Sequence, residues 1–231
     1  MGIKNHKHIA VAGPTSVGKG YTGNQIIEAF GEDRIWMIVL GKLIVARMRN
    51  DVGFSEQYGE TVLRGGLLPY EAVTPMVESR YQEGIDAGYE IFFWDGYPRD
   101  RKQAERLLEI WGVPGIGYTN YRIFMLQASK KTCRSRLDEA IASRRRLDRG
   151  DNHVFDDRYD LHEKNEPEVI RTIEEYGGYV KPVDANMPLE RVAKTVIMSC
   201  RLLLPFKQSG FKHEPPVTTG TESSRQSLVA A

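Results

Sequence analysis

The sequence predicts an α/β protein in which a five-stranded parallel sheet carries helices on both faces. Three observations lead to this fold class. Five short apolar runs alternate with longer helical stretches, an order that favours parallel strands joined by right-handed crossovers. A glycine-bounded loop follows the first run, and an acid, a turn and an arginine follow the third. Both features fit the carboxyl edge of an open α/β sheet, where ligands bind.

The predicted strands are rich in β-branched and aromatic residues, as buried strands are. They cover residues 8–12, 35–40, 89–94, 121–126 and 179–183. The predicted helices cover residues 19–30, 55–64, 70–83, 101–110, 130–142, 156–176 and 189–204. We therefore expect one folded domain over residues 7–204. The remainder, 205–231, is rich in Pro, Gly, Ser and Thr and buries little, so we expect a disordered tail.

The loop after the first strand has the features of a phosphate-binding loop. Its residues are Gly13, Pro14, Thr15, Ser16, Val17, Gly18, Lys19, Gly20 and Tyr21. A strand, a glycine-containing loop and a helix start form a nest of backbone N–H groups that suits a di- or triphosphate. Lys19 adds an ammonium against the outer phosphates. Gly20 stands where G-x-x-x-x-G-K-[ST] requires Ser or Thr, so a glycine-rich turn with an incidental lysine remains the alternative.

The second segment follows the third predicted strand and begins with Asp95. A carboxylate at this edge can hold Mg²⁺ through water, because magnesium keeps most of its hydration shell. Gly96 and Pro98 form a tight turn that directs Arg99 back over the sheet edge, and a guanidinium binds phosphate in two places. The alternative is an ordinary strand-end turn with a solvated arginine.

Several stretches of the chain resemble the adenylate kinase family. Residues 95–107 closely resemble its D-G-[FY]-P-R-x-x-x-Q-A-x-x-L signature, and the phosphate loop resembles its G-x-P-G-x-G-K-G-T loop. Residues 65–69 look like the G-x-L-V-P stretch that borders the monophosphate site in that family. Residues 149–152, with Arg158 downstream, look like the R-x-D-D…R pattern of its mobile lid. The resemblance runs from about residue 8 to residue 204, and the segment from Asp95 to Gln103 is its most specific part.

The resemblance implies a P-loop NTPase-type sheet with strand order 2-3-1-4-5. It also implies a helical insertion that binds the nucleoside monophosphate (NMP), near residues 41–69, and a short lid near residues 144–158. The activity that it implies is that of a nucleoside monophosphate kinase, with adenylate kinase favoured: reversible phosphoryl transfer from Mg-ATP to AMP, giving two ADP. ATP and Mg²⁺ are then the cofactors.

Site residues follow from the same motifs. The resemblance implies that Lys19 and the loop amides hold the ATP phosphates, that Asp95 holds Mg²⁺ through water and that Arg99 clamps the acceptor phosphate. The charge of the transferring group is neutralised by three further arginines, of which the first also binds ATP, and a lid aspartate orients the closed lid; these residues are Arg136, Arg149, Arg158 and Asp151. The expected AMP-binding residues are Gly41, Arg47, Leu68, Gly96, Arg99 and Gln103.

The chain departs from the family pattern at several of these positions. Ser16, Tyr21 and Asn152 replace a loop glycine, a loop threonine and the second lid aspartate. Ala140 stands where the family often has an arginine four residues after Arg136. On the acceptor side Lys42 replaces an aspartate, and Arg47 is the nearest substitute for an arginine that is absent four residues after Gly41. The departures leave open a nucleotide sensor without turnover, built on the same fold.

Gln103 bears on the identity of the acceptor. It lies four residues after Arg99, so both side chains can face the cleft from one helix, and its carboxamide matches the N1 and N6 edge of adenine. In the family a glutamine here goes with AMP, whereas pyrimidine-specific relatives usually have an asparagine nearby. A solvated helix glutamine is the alternative for this residue, and a UMP or CMP kinase is the alternative for the chain.

Composition agrees with a soluble cytoplasmic enzyme. The chain has 231 residues, 41% hydrophobic and 27% charged, and a net charge of +1, so no nucleic-acid partner is expected. Cys133 and Cys200 lie far apart and read as buried thiols of a reducing compartment. No apolar run is long enough to span a membrane, and we expect a monomer with small nucleotides as partners. A tRNA prenyltransferase is an alternative enzyme class, because such enzymes share the G-P-T start of the loop. They lack the D-G-Y-P-R segment that this chain has, which argues against this alternative.

Overall fold

One parallel sheet organises the part of the chain that the computed structural model describes, residues 6–112, 120–143 and 153–204. Its five strands are β1 (Lys7–Ala12), β2 (Ile35–Val39), β3 (Ile91–Asp95), β4 (Tyr121–Gln127) and β5 (Val180–Asp184). They lie in the order β2-β3-β1-β4-β5, and every neighbouring pair is parallel. The predicted fold class and strand order are confirmed.

Eight α-helices connect or follow these strands within the described residues. They are α1 (Lys19–Phe30), α2 (Leu40–Asn50), α3 (Val52–Leu63), α4 (Tyr70–Asp86), α5 (Arg101–Ile110), α6 (Lys130–Ala142), α7 (Phe155–Glu175) and α8 (Leu189–Cys200). A single 3₁₀ turn, Glu32–Arg34, precedes β2. None of these helices is long and apolar enough to cross a membrane. The tail 205–231 lies outside the described residues, and its expected disorder stays a prediction.

The sequence prediction was wrong at the end of β2. We predicted a strand over residues 35–40, but β2 ends at Val39 and Leu40 already begins α2. Leu40 and Ile44 are buried one helical turn apart, which gives α2 the apolar stripe that a surface helix packs against a core. The next helix, α3, begins three residues earlier than predicted because Asp51 caps it: its carboxylate accepts the N–H of Phe54 at 2.9 Å.

Two hydrophobic layers cover the faces of the sheet. Alternate residues of one strand enter opposite layers, as strand geometry requires: Ile9 packs in one layer and Ala10 in the other, and Phe93 and Trp94 divide in the same way. Helices α4, α5 and α7 contribute to the layer of Ala10 and Trp94, whereas α1, α6 and α8 contribute to the layer of Ile9 and Phe93. The sheet is therefore buried on both faces, and its carboxyl edge is left to carry the loops.

Gly84 allows α4 to approach the sheet closely. A Cβ at this position would lie 2.6 Å from Cδ1 of Trp36 and 2.7 Å from Cε1 of Phe92. Gly53, in α3, would meet only Oδ1 of Asp51 at 3.6 Å, an ordinary contact. The two glycines are both helical, so substitution by alanine separates steric cost from helix propensity.

We predict that Gly84→Ala lowers the free energy of unfolding by about 1–3 kcal/mol, because the added methyl group displaces core rings. The matched Gly53→Ala variant should gain up to about 1 kcal/mol from the higher helix propensity of alanine. Urea unfolding followed by circular dichroism measures both changes. Equal effects of the two substitutions would contradict the close approach at Gly84.

His8 is a buried ionisable group in the layer of Trp94. It is 2% exposed, and its ring stacks on that of Trp111 with the centroids 4.9 Å apart. Burial lowers the pKa of His8 well below the ordinary value of 6.5, and the neighbouring His6 lowers it further. The unfolded chain therefore binds a proton that the folded chain does not bind. The stability that this group contributes is present above about pH 6.5 and is lost as the pH falls below it.

We expect the free energy of unfolding to fall less between pH 7 and pH 5 in His8→Phe than in the wild type, because phenylalanine keeps an aromatic ring but has no proton to bind. Urea unfolding at the two pH values gives this difference within each protein, so a uniform packing effect of the substitution cancels. Identical losses in the two proteins would show that His8 is not the source of acid sensitivity.

Candidate functional site

Three loops meet at the carboxyl edge of the sheet. Val11 of β1 and Val39 of β2 are both register partners of Asp95 on the central neighbour β3. The phosphate loop after β1, the start of α2 after β2 and the turn after β3 therefore leave the sheet at the same level. Ligands of open α/β sheets bind at this edge.

The phosphate loop is built around glycines and a folded-back lysine. A Cβ at Gly13, whose φ is 144°, would lie 2.6 Å from the carbonyl oxygen of Leu126, so the loop can pass β4 only without a side chain there. Lys19 opens α1, and its Nζ donates to the carbonyl oxygens of Gly13 at 2.8 Å and Pro14 at 2.7 Å. The ammonium thus lies inside the concave loop, where a phosphate would also lie.

Ser16 adopts a backbone conformation that favours glycine. Its φ is 59°, in the left-handed region, and the resemblance places a glycine at this position. A non-glycine residue there carries local backbone strain of order 1 kcal/mol. The loop therefore accommodates a non-glycine residue at this position at the cost of that strain.

Tyr21 stands at the position of the loop threonine that the chain lacks, and Thr22 supplies the nearest hydroxyl. Tyr21 interacts with Glu190 at the start of α8: desolvation and then the Glu190 carboxylate raise the pKa of its hydroxyl. Thr22 is completely buried, and its Oγ1 has no hydrogen-bond partner among the described residues. The sequence analysis did not predict the contact between Tyr21 and Glu190, because the two residues lie 169 positions apart and only the fold brings them together.

Arg136 joins the phosphate loop to the loop between β5 and α8. From α6, its Nη1 donates to the carbonyl oxygen of Val17 at 2.7 Å and its Nη2 to that of Met187 at 2.6 Å. Burial lowers the pKa of this guanidinium. The predicted ATP-binding arginine therefore lies beside the phosphate loop, while its role in binding stays a prediction.

Asp95 is the carboxylate expected to serve a metal ion. Burial raises its pKa, and three cations oppose that effect: Lys19, Arg99 and Lys42. No group of three or more His, Cys, Asp or Glu residues that could hold a metal occurs in the described part of the chain. Magnesium does not need such a group, because it keeps several waters and uses one or two carboxylates together with substrate phosphates. A single half-buried carboxylate beside the phosphate loop fits this mode of binding.

Arg99 is fixed at the start of α5. Its Nε donates to the carbonyl oxygen of Gly96 at 2.7 Å, and its backbone N–H donates to Oε1 of Gln103 at 2.9 Å. The residue is solvent-exposed, yet the surrounding protein lowers the pKa of its guanidinium, which Asp95 raises and Arg158 lowers further. Arg99 is therefore exposed to solvent and still lies close to the charges of Asp95 and Arg158.

Gln103 is buried in the cap of α5. It is 0% exposed; its backbone N–H and its Nε2 donate to the two carboxylate oxygens of Asp100 at 2.9 and 3.0 Å. Asp100 followed three residues later by Gln103 is a capping-box sequence, a signal that the sequence analysis missed. The side chain was expected to face the cleft, and its reading of adenine stays a prediction.

α7 brings Arg158 to the same region. A Cβ at Gly65, before α4, would lie 2.8 Å from Cγ of Arg158, and Asn165 donates to the carbonyl oxygen of Arg99 at 3.3 Å. The structure thus places Arg158 close to Arg99 and to the glycines that precede α4.

Leu68, one of the expected AMP-binding residues, is 3% exposed and packs in the core.

Of the remaining predicted site residues, Gly41 and Arg47 lie in the described part of the chain, and Arg149 and Asp151 do not. Gly41 is exposed in the first turn of α2, whereas Arg47 pairs with Asp51 at 2.7 Å and lies 5.8 Å from the centroid of the Phe54 ring. These contacts hold Arg47 against α3. Arg149 and Asp151 lie outside the described residues, as does Asn152, and their roles in a lid stay predictions.

Comparison with known proteins points to one family, although no model of a protein family matches the chain. The chain is 26% identical over 197 residues to adenylate kinase isoenzyme 1 of Cyprinus carpio, covering 84% of this chain and 94% of the relative. It is 26% identical over 200 residues to an adenylate kinase of Methylobacterium nodulans, covering 85% and 98%. An adenylate kinase of Pelobacter propionicus is 25% identical over 210 residues, covering 80% and 92%.

We predict that Ser16→Gly raises the free energy of unfolding by about 0.5–1 kcal/mol, because relief of the left-handed strain exceeds the entropy that glycine adds to the unfolded chain. The neighbouring Thr15, which has no positive φ, serves as the control: Thr15→Gly should lower the stability by a similar amount. Thermal unfolding of both variants measures the two changes. A loss of stability in Ser16→Gly would contradict the strain.

Proposed function

The chain is a divergent member of the adenylate kinase family, and from this membership we propose that it transfers the γ-phosphoryl group of ATP reversibly to AMP, giving two ADP. The observation that carries the proposal is the register that brings Lys19, Asp95 and Arg99 to one edge of the sheet. Relatives of nearly the same length that are named adenylate kinases support it.

The reaction needs no general base, because the acceptor is an ionised phosphate. One of its oxygens attacks the γ-phosphorus, the bond from that phosphorus to the β–γ bridging oxygen breaks, and ADP leaves with the electron pair. Catalysis therefore rests on positioning and on neutralisation of the charge that spreads over the transferring group. Magnesium, held by Asp95 through water, would supply part of that neutralisation.

Lys19 and Arg99 act on opposite sides of this reaction. Lys19 exchanges the carbonyl oxygens of Gly13 and Pro14 for the outer phosphates of ATP, which are better acceptors because they are charged. Arg99 keeps its Nε on Gly96 and presents the rest of its guanidinium to the acceptor phosphate. The two cations then hold donor and acceptor in line.

Three arginines complete the proposed charge neutralisation. Arg136 acts from the side of the phosphate loop, Arg158 from the side of Arg99, and Arg149 from the lid, where Asp151 orients the closed form. Closure of the lid over the site would expel water, which otherwise competes with AMP as the acceptor.

We propose a monomer that works in the cytoplasm. The two buried free cysteines, Cys133 and Cys200, support the reducing compartment.

A nucleotide-product assay tests the proposal. The full chain receives ATP and Mg²⁺ with AMP, CMP, UMP, GMP or dTMP in separate reactions, and the products are separated by chromatography. We expect ADP to form with AMP and its formation to stop when EDTA removes the metal. A different preferred acceptor would contradict the reading of adenine by Gln103, and ATP binding without transfer to any acceptor would contradict the kinase.

We predict that Lys19→Met or Arg99→Ala lowers kcat by about 10²–10³-fold, the usual cost of one preorganised contact to developing charge. Both variants should still unfold cooperatively, because neither side chain belongs to the core. Lys131→Met, which removes an exposed lysine from α6, is the matched control and should keep wild-type turnover. Near-normal turnover in either site variant would refute the roles assigned here.

A further inference from the structure

Lys42 lies at the same edge of the sheet as Asp95. Helix α2 begins at Leu40, directly after Val39, and Val39 is the register partner of Asp95. Lys42 therefore stands in the first turn of α2, three residues beyond the level of Asp95. The residue is exposed, and across the described ranges no hydrogen bond or ion pair occupies its ammonium. Its charge is available to a ligand that enters the site.

The ammonium of Lys42 interacts electrostatically with the carboxylate of Asp95. Lys19, Arg99 and Lys42 all lie close enough to Asp95 for their charges to interact with its carboxylate. Lys42 thus belongs to the same set of cations as two residues of the proposed phosphate-transfer site.

The strand order decides which substrate Lys42 serves. The phosphate loop follows β1, which is one neighbour of β3, and Lys42 follows β2, which is the other neighbour. The phosphates of ATP occupy the side of β1. A cation on the side of β2, with Asp95 and Arg99 between it and the loop, is placed for the second nucleotide.

The other cation of α2 that was considered for this role is held elsewhere. Arg47 forms an ion pair with Asp51 at 2.7 Å and lies over the ring of Phe54. Both partners belong to the junction with α3. A phosphate would compete with Asp51 for the guanidinium of Arg47, whereas binding by Lys42 competes with no contact among the described residues.

We propose that Lys42, rather than Arg47, binds the phosphate of the acceptor monophosphate together with Arg99. The inference rests on the proposed function, since it assigns a residue to the acceptor side of that reaction. A lysine in place of the aspartate that the family pattern has here compensates for the arginine that the pattern has and this chain lacks at residue 45. An ammonium is a compact charge on a flexible stem, so it can reach a phosphate from the first turn of a helix.

Calorimetric titration of the full chain with AMP and with adenosine, without ATP or metal, tests the role of Lys42. Adenosine lacks the phosphate, so the ratio of the two affinities isolates the phosphate contact. We expect Lys42→Met to weaken AMP binding about tenfold or more, the scale of one charge-assisted contact, and to leave adenosine binding unchanged. Arg49→Met, which removes an exposed arginine of the same helix, is the control and should keep wild-type affinity for AMP, and Arg47→Met tests the competing assignment. In turnover, Lys42→Met should raise KM for AMP and leave KM for ATP unchanged.

The outcomes separate this inference from the function on which it rests. Wild-type affinity for AMP in Lys42→Met would overturn the inference alone, as would a loss confined to Arg47→Met. An equal loss of AMP and adenosine affinity in Lys42→Met would assign Lys42 to the shape of the pocket and would also overturn it. A wild-type chain that binds no monophosphate would overturn the proposed function itself. Thermal unfolding establishes that each variant is folded.

Discussion

The in-register ends of β1, β2 and β3 are the constraint on which the rest of the site depends. Parallel pairing sets Val11, Asp95 and Val39 at one level, so three segments that are far apart in the sequence leave the sheet together. The phosphate loop, the turn of Arg99 and the first turn of α2 are each ordinary structures by themselves. Their common level brings Lys19, Arg99 and Lys42 to one edge of the sheet.

Two layers of side chains hold that level in place. Phe93 and Trp94, successive residues of β3, enter opposite layers, so the strand cannot shift by one residue without exchanging its buried faces. The same packing fixes Asp95, the next residue along the strand. Precision at the site is therefore a property of the core, and the loops inherit it from the strands that they follow.

Much of this arrangement could be predicted from the sequence, because its signals are local. The glycines around Lys19 and the turn between Asp95 and Arg99 follow apolar runs that indicate buried strands. The prediction failed where two patterns overlap: Leu40 continues the apolar run of β2 and also begins the helical spacing with Ile44. Contacts across the fold, such as those of Arg136 with Val17 and Met187, leave no mark on neighbouring residues, so the sequence alone could not supply them.

Lys19 folds back onto its own loop, so an incoming phosphate must compete with the loop carbonyl groups for the Lys19 ammonium. With its Nζ on the carbonyl oxygens of Gly13 and Pro14, Lys19 places a cation against the loop. An arriving anion must offer more than those two neutral acceptors do, and a polyphosphate, with several charged oxygens for the ammonium and the surrounding amides, meets that condition far better than a small singly charged ion. If the loop binds phosphate as proposed, it would therefore discriminate by the number of charges that a ligand brings, before any contact with a base or a sugar is made.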